Sequence, residues 1–189
     1  MKIEKLSMSA LNRTTVENYI SQEKIGLYII ADNIRSGQNI GSLFRTSDAF
    51  AIDKVYLTGI SPIPPNKEIL KTALGATESV GWEYFEDNLK LIQFLKEKGV
   101  KILVIEQTNV SQSLHTYSFD FSFKYAIVLG NEVDGVSDIF LTHADAIIEI
   151  PQIGTKHSLN VSVCAGIVLW NFFSQKMLLD KNTFSGANI

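Results

Sequence analysis

Apolar positions in this chain follow two rhythms. Short unbroken runs at residues 25–31, 54–59, 101–106, 126–129 and 146–150 each stop at a polar, glycine or proline segment. Runs of this length that are apolar throughout suit strands buried on both faces, the habit of a parallel sheet. Residues 82–85 add a short strand. Between the runs the spacing turns helical. Thr14-x-x-Glu17 is a capping-box pattern followed by Val16, Tyr19 and Ile20, which predicts a short helix over 15–23. Ile40, Leu43, Phe44 and Ser47 share one face of a helix beginning at Ile40. Residues 66–79 read as a helix fading at Gly75. Leu89, Ile92 and Leu95 point inward from a helix capped by Asp87 or Asn88 and ended by Gly99. A long helix opens at Ser158-Leu159-Asn160 and is apolar on nearly every side, so it needs cover all round. Gly166 inside it suggests close approach of another backbone. Tyr117, Phe119, Phe121 and Phe123 alternate, which predicts an extended segment covering one sheet edge. Strands alternating with helices make the class α/β, a mostly parallel sheet flanked by helices.

Composition narrows this picture. A chain of 189 residues, 46% hydrophobic and 20% charged, can bury the core of one domain and stay ordered over most of its length. Cys164 is the single cysteine, so disulfides and multi-cysteine metal sites are out, and its apolar helical setting reads as a packed thiol. His115, His143 and His157 lack ligand spacing, so no metal is expected. The first fifteen residues have no apolar core of signal-peptide type, and no uninterrupted apolar run reaches the ~18 residues of a membrane span. The expected compartment is the cytoplasm, with no membrane partner. The net charge of −3 argues against wrapping nucleic acid by bulk electrostatics, although residues 1–45 carry +2 and the remainder −5.

The polar segments that end the strands are where chemistry collects in an open α/β sheet. No Gly-x-Gly-x-x-Gly follows a strand, which disfavours a nucleotide-cofactor oxidoreductase. Gly130 and Gly135 have the glycine spacing of a phosphate loop, but Val136-Ser137 stands where Lys-Ser/Thr is needed. What remains is backbone: Gly130, Ile150 and Leu159 sit at strand ends or a helix start, where unpaired N–H and C=O groups are available.

Three stretches carry a resemblance. Residues 33–50 read NIRSGQNIGSLFRTSDAF, residues 129–135 read LGNE-x-x-G, and residues 150–163 read IPQ-x-G-x-x-x-SLNVSV. Together they resemble the signatures of the SpoU-type RNA ribose 2′-O-methyltransferases of the SPOUT superfamily, over about residues 27–173. The resemblance implies a SPOUT-type fold with a C-terminal deep trefoil knot. It implies a helical extension over 1–24, the methyltransferase domain over 25–176 and a tail over 177–189. The implied cofactor is S-adenosylmethionine, held by Thr108, Gly130, Asn131, Ile150, Ser158 and Leu159. The implied catalytic set is Asn39, Arg45, Glu132, Ser158 and Asn160, with Arg35, Arg45 and Lys156 on RNA. A homodimer joined through the last helix and a tRNA guanosine target complete the expectation, with rRNA as the alternative substrate. A catalytically silent RNA-binding dimer is the competing class; retention of the five catalytic residues argues against it.

Each residue also has a plainer role. Arg45 suits a surface arginine, the helix over 15–23 a packing appendage, and Ser158 and Asn160 helix caps. Arginine stays protonated in proteins, so a phosphate clamp that stabilises a nascent alkoxide is the easier role for Arg45, and the proton acceptor stays open. Glu132 is expected to fix Asn39 or Asn160 rather than act on substrate.

Overall fold

The computed structural model describes residues 3–7, 9–11 and 13–179. The apolar runs become strands β1 (Leu27–Asp32), β2 (Lys54–Thr58), β3 (Trp82–Phe85), β4 (Lys101–Ile105), β6 (Tyr125–Leu129) and β7 (Ala146–Glu149), joined by a two-residue β5 (Gln112–Ser113). They form one sheet in the order β3-β2-β1-β6-β4-β7-β5. Every pairing among them is parallel.

A parallel sheet must be covered on both faces, and alternation along the strands divides the side chains accordingly. Leu27, Ile29 and Ala31 of β1 join Leu103, Ile127 and Ile148 in one core. Helices α1 (Val16–Ser21), α2 (Gly37–Ala49), α3 (Lys67–Ala73), α4 (Ala76–Ser79) and α7 (Val161–Leu179) cover that face. Ile30 faces the other way, with Ile102, Val104, Ala126 and Val128, under α5 (Asn88–Glu97) and α6 (Asp138–His143). Each fully buried aliphatic side chain contributes about 1.5–3 kcal/mol, so the two layers hold the strands in register.

Several boundaries differ from the sequence reading, each for a local reason. The cap of α1 is Thr15 rather than Thr14, its side chain accepting from the Asn18 N–H. The Tyr19 ring anchors this helix, its hydroxyl donating to the Ser47 carbonyl at 3.2 Å. Helix α2 starts three residues before Ile40, because the Ser36 hydroxyl accepts from the Asn39 N–H and caps it. Asp87 caps α5, and Leu91, Ile92 and Leu95 point inward while Leu89 in the first turn stays 40% exposed. The aromatic segment does not line the sheet edge, which β5 forms. Phe119 and Phe121 instead meet Phe172 of α7 edge-on, with ring centroids 4.8 and 5.2 Å away. Among the described residues, and leaving aside its chain neighbours and the adjoining backbone of its own helix, no atom lies within 4 Å of where a Gly166 Cβ would sit, so the close approach expected there is not made among them.

Helix α7 is long and apolar enough to cross a membrane by length and composition alone. Its Ala165, Val168, Leu169 and Phe172 are buried in the core, while Val163, Ile167 and Trp170 on another side are exposed. The helix continues to Leu179, past the expected domain end at 176, and residues 180–189 of the expected tail lie outside the described residues.

Candidate active site

Since all strands run parallel, the loops after β1, β4, β6 and β7 emerge at one edge. A buried carboxylate locks two of them together. Asp32, at the end of β1, is fully buried and accepts from Ser137 N–H at 2.7 Å, Asn33 Nδ2 at 2.8 Å and Thr58 Oγ1 at 3.3 Å. The Asn131 side chain repeats the tie, donating from Nδ2 to the Asn33 carbonyl at 2.7 Å. Its Oδ1 accepts from the N–H groups of Val133 and Asp134, which rounds residues 131–135 into a tight turn. Asn131 N–H to Gly135 O (2.9 Å) and Gly135 N–H to Asn131 O (3.1 Å) close it.

Beside this turn lies a cavity of about 580 Å³ between the ends of β4, β6 and β7 and the start of α7. Gly130, Asn131, Ile150, Ser158 and Leu159 line it, as do Glu132 and Asn160. Gly130 shapes one wall, since a Cβ there would sit 2.3 Å from the Gly135 carbonyl carbon and 2.4 Å from the Val136 nitrogen. Among the described residues, four carboxylates line the cavity (Glu106, Glu132, Asp134 and Glu149), and no Lys or Arg does. Such a lining disfavours phosphate-bearing ligands and suits a cation.

At its mouth three side chains form a relay. Asn39 Nδ2 donates to Glu132 Oε1 at 2.9 Å, and Asn39 Oδ1 accepts from Asn160 Nδ2 at 3.1 Å. Glu132 also accepts from the N–H groups of Arg35 (3.2 Å) and Ser36 (3.3 Å), just ahead of α2. Partial burial raises its carboxyl, but the hydrogen bonds from Asn39 and these backbone groups outweigh it and leave Glu132 below the ordinary carboxylate range. Asn160 Oδ1 accepts from Ser162 N–H and Val163 N–H, so it caps α7 while its amide reaches Asn39. Ser158, two residues earlier, lines the cavity and takes no part in that cap. A second, more open depression of about 500 Å³ adjoins, lined by Arg35, Ser36, Gln38, Asn39, Glu68 and Glu132. Glu132 is the side chain common to both.

Three expected site residues stand apart. Thr108 lies outside the cavity lining, and its side chain instead accepts from Val110 N–H in the turn after β4. Arg45 is exposed on α2 and lines neither hollow. Lys156 sits in the wholly exposed segment 151–160, also outside both linings.

The sequence reading passed over Glu106, Gln107 and Cys164, which line the cavity. The available signal for Glu106 was a charge placed where a buried parallel strand ends. Gln107 Nε2 donates to the His157 carbonyl at 2.9 Å, tying the β4 loop to the segment before α7. Burial, and then the Glu106 charge, push the Cys164 thiol up to about 11. Among the described residues no cluster of three or more His, Cys, Asp or Glu could hold a metal ion.

The family model of the SpoU rRNA Methylase family matches residues 26–170. The 23S rRNA (guanosine-2′-O-)-methyltransferase RlmB of Neisseria meningitidis serogroup B is 33% identical over 152 residues, 80% of this chain and 60% of that protein. The Vibrio cholerae protein of the same name is 28% identical over 88% of this chain and 66% of its own length. The chain thus spans roughly two thirds or less of these curated relatives. Among solved structures, the A. aeolicus TrmH/SpoU tRNA modifying enzyme superposes with a TM-score of 0.77 at 26% identity, covering 87% of this chain and 82% of that one. The AdoMet-bound rRNA methyltransferase from Sinorhizobium meliloti (TM-score 0.73, 24% identity, 84% of this chain and 59% of that one) shares the fold. With that match running from just before β1 well into α7, and covering all three members of the Asn39–Glu132–Asn160 relay, the chain belongs to the SpoU rRNA methylase family.

Proposed function

We propose that this protein transfers a methyl group from S-adenosylmethionine to a ribose 2′-hydroxyl of RNA. One observation carries the reading: two adjoining hollows share the Glu132 side chain, one acid-lined and enclosed by backbone, the other opening past Asn39 and Arg35. The first suits a cationic cofactor and the second a ribose. S-adenosylmethionine, when bound, supplies an electrophilic methyl on a sulfonium; Gly130, Ile150 and Leu159 would hold it through backbone groups, with Asn131 and Ser158 beside them. The cavity fits that group, because its wall at Gly130 leaves no room for a Cβ and its described lining offers carboxylates with no lysine or arginine.

The chain's own contribution is orientation and charge. Glu132 and Asn160 hold Asn39 from both sides, so its carboxamide meets the ribose in one fixed pose and needs little reorganisation. Arg35 at the second hollow and the exposed Arg45 and Lys156 serve the RNA phosphates, with Arg45 also stabilising charge that develops on the ribose oxygen. Thr108 belongs to the cofactor side through the loop it shares with Gln107.

The working unit is residues 25–176, with residues 1–24 as an extension and the remainder as a tail. A deep trefoil knot belongs to this reading. So does a homodimer, supported by the exposed Val163, Ile167 and Trp170 on α7. The cytoplasm, where RNA and cofactor meet, is its compartment. A tRNA guanosine is the proposed target on the wording of residues 105–108 and 149–163. Relatives named for 23S rRNA favour rRNA as the second reading. Labelled methyl transfer into separate tRNA and rRNA pools, followed by alkaline hydrolysis, tests both. A 2′-O-methyl group blocks cleavage at its own nucleotide, so label should appear in alkali-resistant dinucleotides. Label confined to mononucleotides, or absent from both pools, would overturn the proposal.

A further inference from the structure

We infer that Glu106 is the residue by which the cavity separates a cationic sulfonium cofactor from its neutral thioether product. This rests on the S-adenosylmethionine reading above. Glu106 stands directly after β4, where the strand delivers it to the cavity wall. Both carboxylate oxygens are pinned: Oε1 accepts from Gln107 N–H at 2.9 Å and Oε2 from Val136 N–H at 3.1 Å. A carboxylate offers about four acceptor sites, so capacity remains after these two bonds.

The other acids of the lining are engaged elsewhere. Glu132 is held by Asn39 and the start of α2, Glu149 accepts from the Ser111 hydroxyl at 3.0 Å, and Asp134 lies on the exposed turn. Glu106 is thus a fixed, partly buried charge of this cavity, held on both oxygens by backbone alone. Its charge acts on another residue of the same lining: after burial, it helps raise the Cys164 thiol against ionisation. A field that opposes an anion favours a cation in the same space. Once the methyl has left, sulfur is neutral and this attraction is gone, so Glu106 holds the cofactor and lets the product leave.

A second role is visible: Glu106 braces the Gly135–Val136 backbone, since a Cβ on Gly135 would meet Oε2 at 2.5 Å. The test must tell charge from bracing. Calorimetry on the full chain, wild type and Glu106→Gln, would use three probes: S-adenosylmethionine, sinefungin, which carries an ammonium in place of the sulfonium, and S-adenosylhomocysteine, which is neutral there. Glu106→Gln should weaken both cationic probes relative to the neutral one by about tenfold, equivalent to about 1.4 kcal/mol. Glu106→Asp, which keeps the charge but withdraws it by one methylene, should retain part of the preference and carries the same test if the glutamine variant does not fold. Equal weakening of all three probes would make Glu106 a brace only and overturn the inference, as would unchanged affinities. If the wild type binds none of the three, the cofactor reading itself falls. If it binds all three and the variants keep their ratio, Glu106 alone is refuted.

Discussion

Replacing Gly130 by alanine adds a single methyl where the facing backbone leaves no room for it. The new Cβ would lie 2.3 Å from the Gly135 carbonyl carbon, 2.4 Å from the Val136 nitrogen and 2.5 Å from the Gly135 oxygen. All three are backbone atoms, so no rotamer change relieves the contact. The turn over 131–135 has to move as a unit, and its freedom is small. Its two ends are bonded to each other, and Asn131 is bonded to the Asn33 carbonyl. Overpacking against fixed structure costs about 1–3 kcal/mol. For a chain of this size ~2 kcal/mol lowers the thermal midpoint by roughly 4–8 °C. Because the same turn forms a wall of the cavity, its displacement should weaken S-adenosylmethionine at least about tenfold, or ~1.4 kcal/mol. Gly154→Ala is the control: among the described residues, its chain neighbours aside, nothing lies within 4 Å of its added Cβ, so midpoint and affinity should stay at wild-type values. Scanning calorimetry and ligand titration on the two variants decide the matter. If Gly130→Ala matches wild type in both midpoint and dissociation constant, the turn is softer than argued and Gly130 is not part of the site.

Glu132 ties pH to stability: its carboxyl sits below the 4.5 of a free glutamate, so its contribution is present above that value and lost as pH falls through the lower folded value. Melting curves from neutral to about pH 3 should show Glu132→Gln less stable than wild type at neutral pH, the gap closing in acid; a gap constant with pH would refute this. Arg45→Ala should lose about 100-fold or more in methylation rate with cofactor affinity unchanged, and Arg45→Lys should recover only part, lacking the planar fork of guanidinium. Equal rates in all three proteins would leave Arg45 a surface residue. Trp170 is 57% exposed and clustered with Phe50 and Phe173, so Trp170→Glu should sediment as a monomer or fail to stay in solution; a folded dimer would move the interface elsewhere. Cys164, half-buried with its thiol raised to about 11, should react more slowly with iodoacetamide near neutral pH in the native than in the unfolded protein; equal rates in the two would contradict the raised thiol.

Strands buried on both faces are legible because little that is polar interrupts them, and five of the seven here were readable as apolar runs; β3, partly exposed and holding Glu83, was read only as a short strand. The seventh, β5, is two residues long and partly exposed, so it exists through its pairing with β7 and leaves no pattern of its own. Helix α6 escaped for a related reason. Its six residues place Ile139, Phe140 and Leu141 in succession, too few for a helical period, and the bond from Phe140 N–H to the Ser137 carbonyl starts it.

The site was legible where a residue type answers a backbone need. Gly130 is required by the contact with Gly135 and Val136, and Asn160 is required at the start of α7. Where one side chain serves two elements only part was legible: the bond expected between Glu132 and Asn39 is made, but the start of α2 that aims Asn39 was placed too late and Glu106 was passed over. Asn39 looked like a loop residue because Gly37 and Gln38 precede it; in the structure the Ser36 cap draws all three into α2, and the first turn aims Asn39 at Glu132, 93 residues away in sequence. Glu106 is the same case on the other wall. Its strand gave a reason for everything except the charge at its end, and only the placement of Val136 beside it supplies one. A charged residue that closes a buried parallel strand therefore merits attention in proportion to how little its own strand needs it.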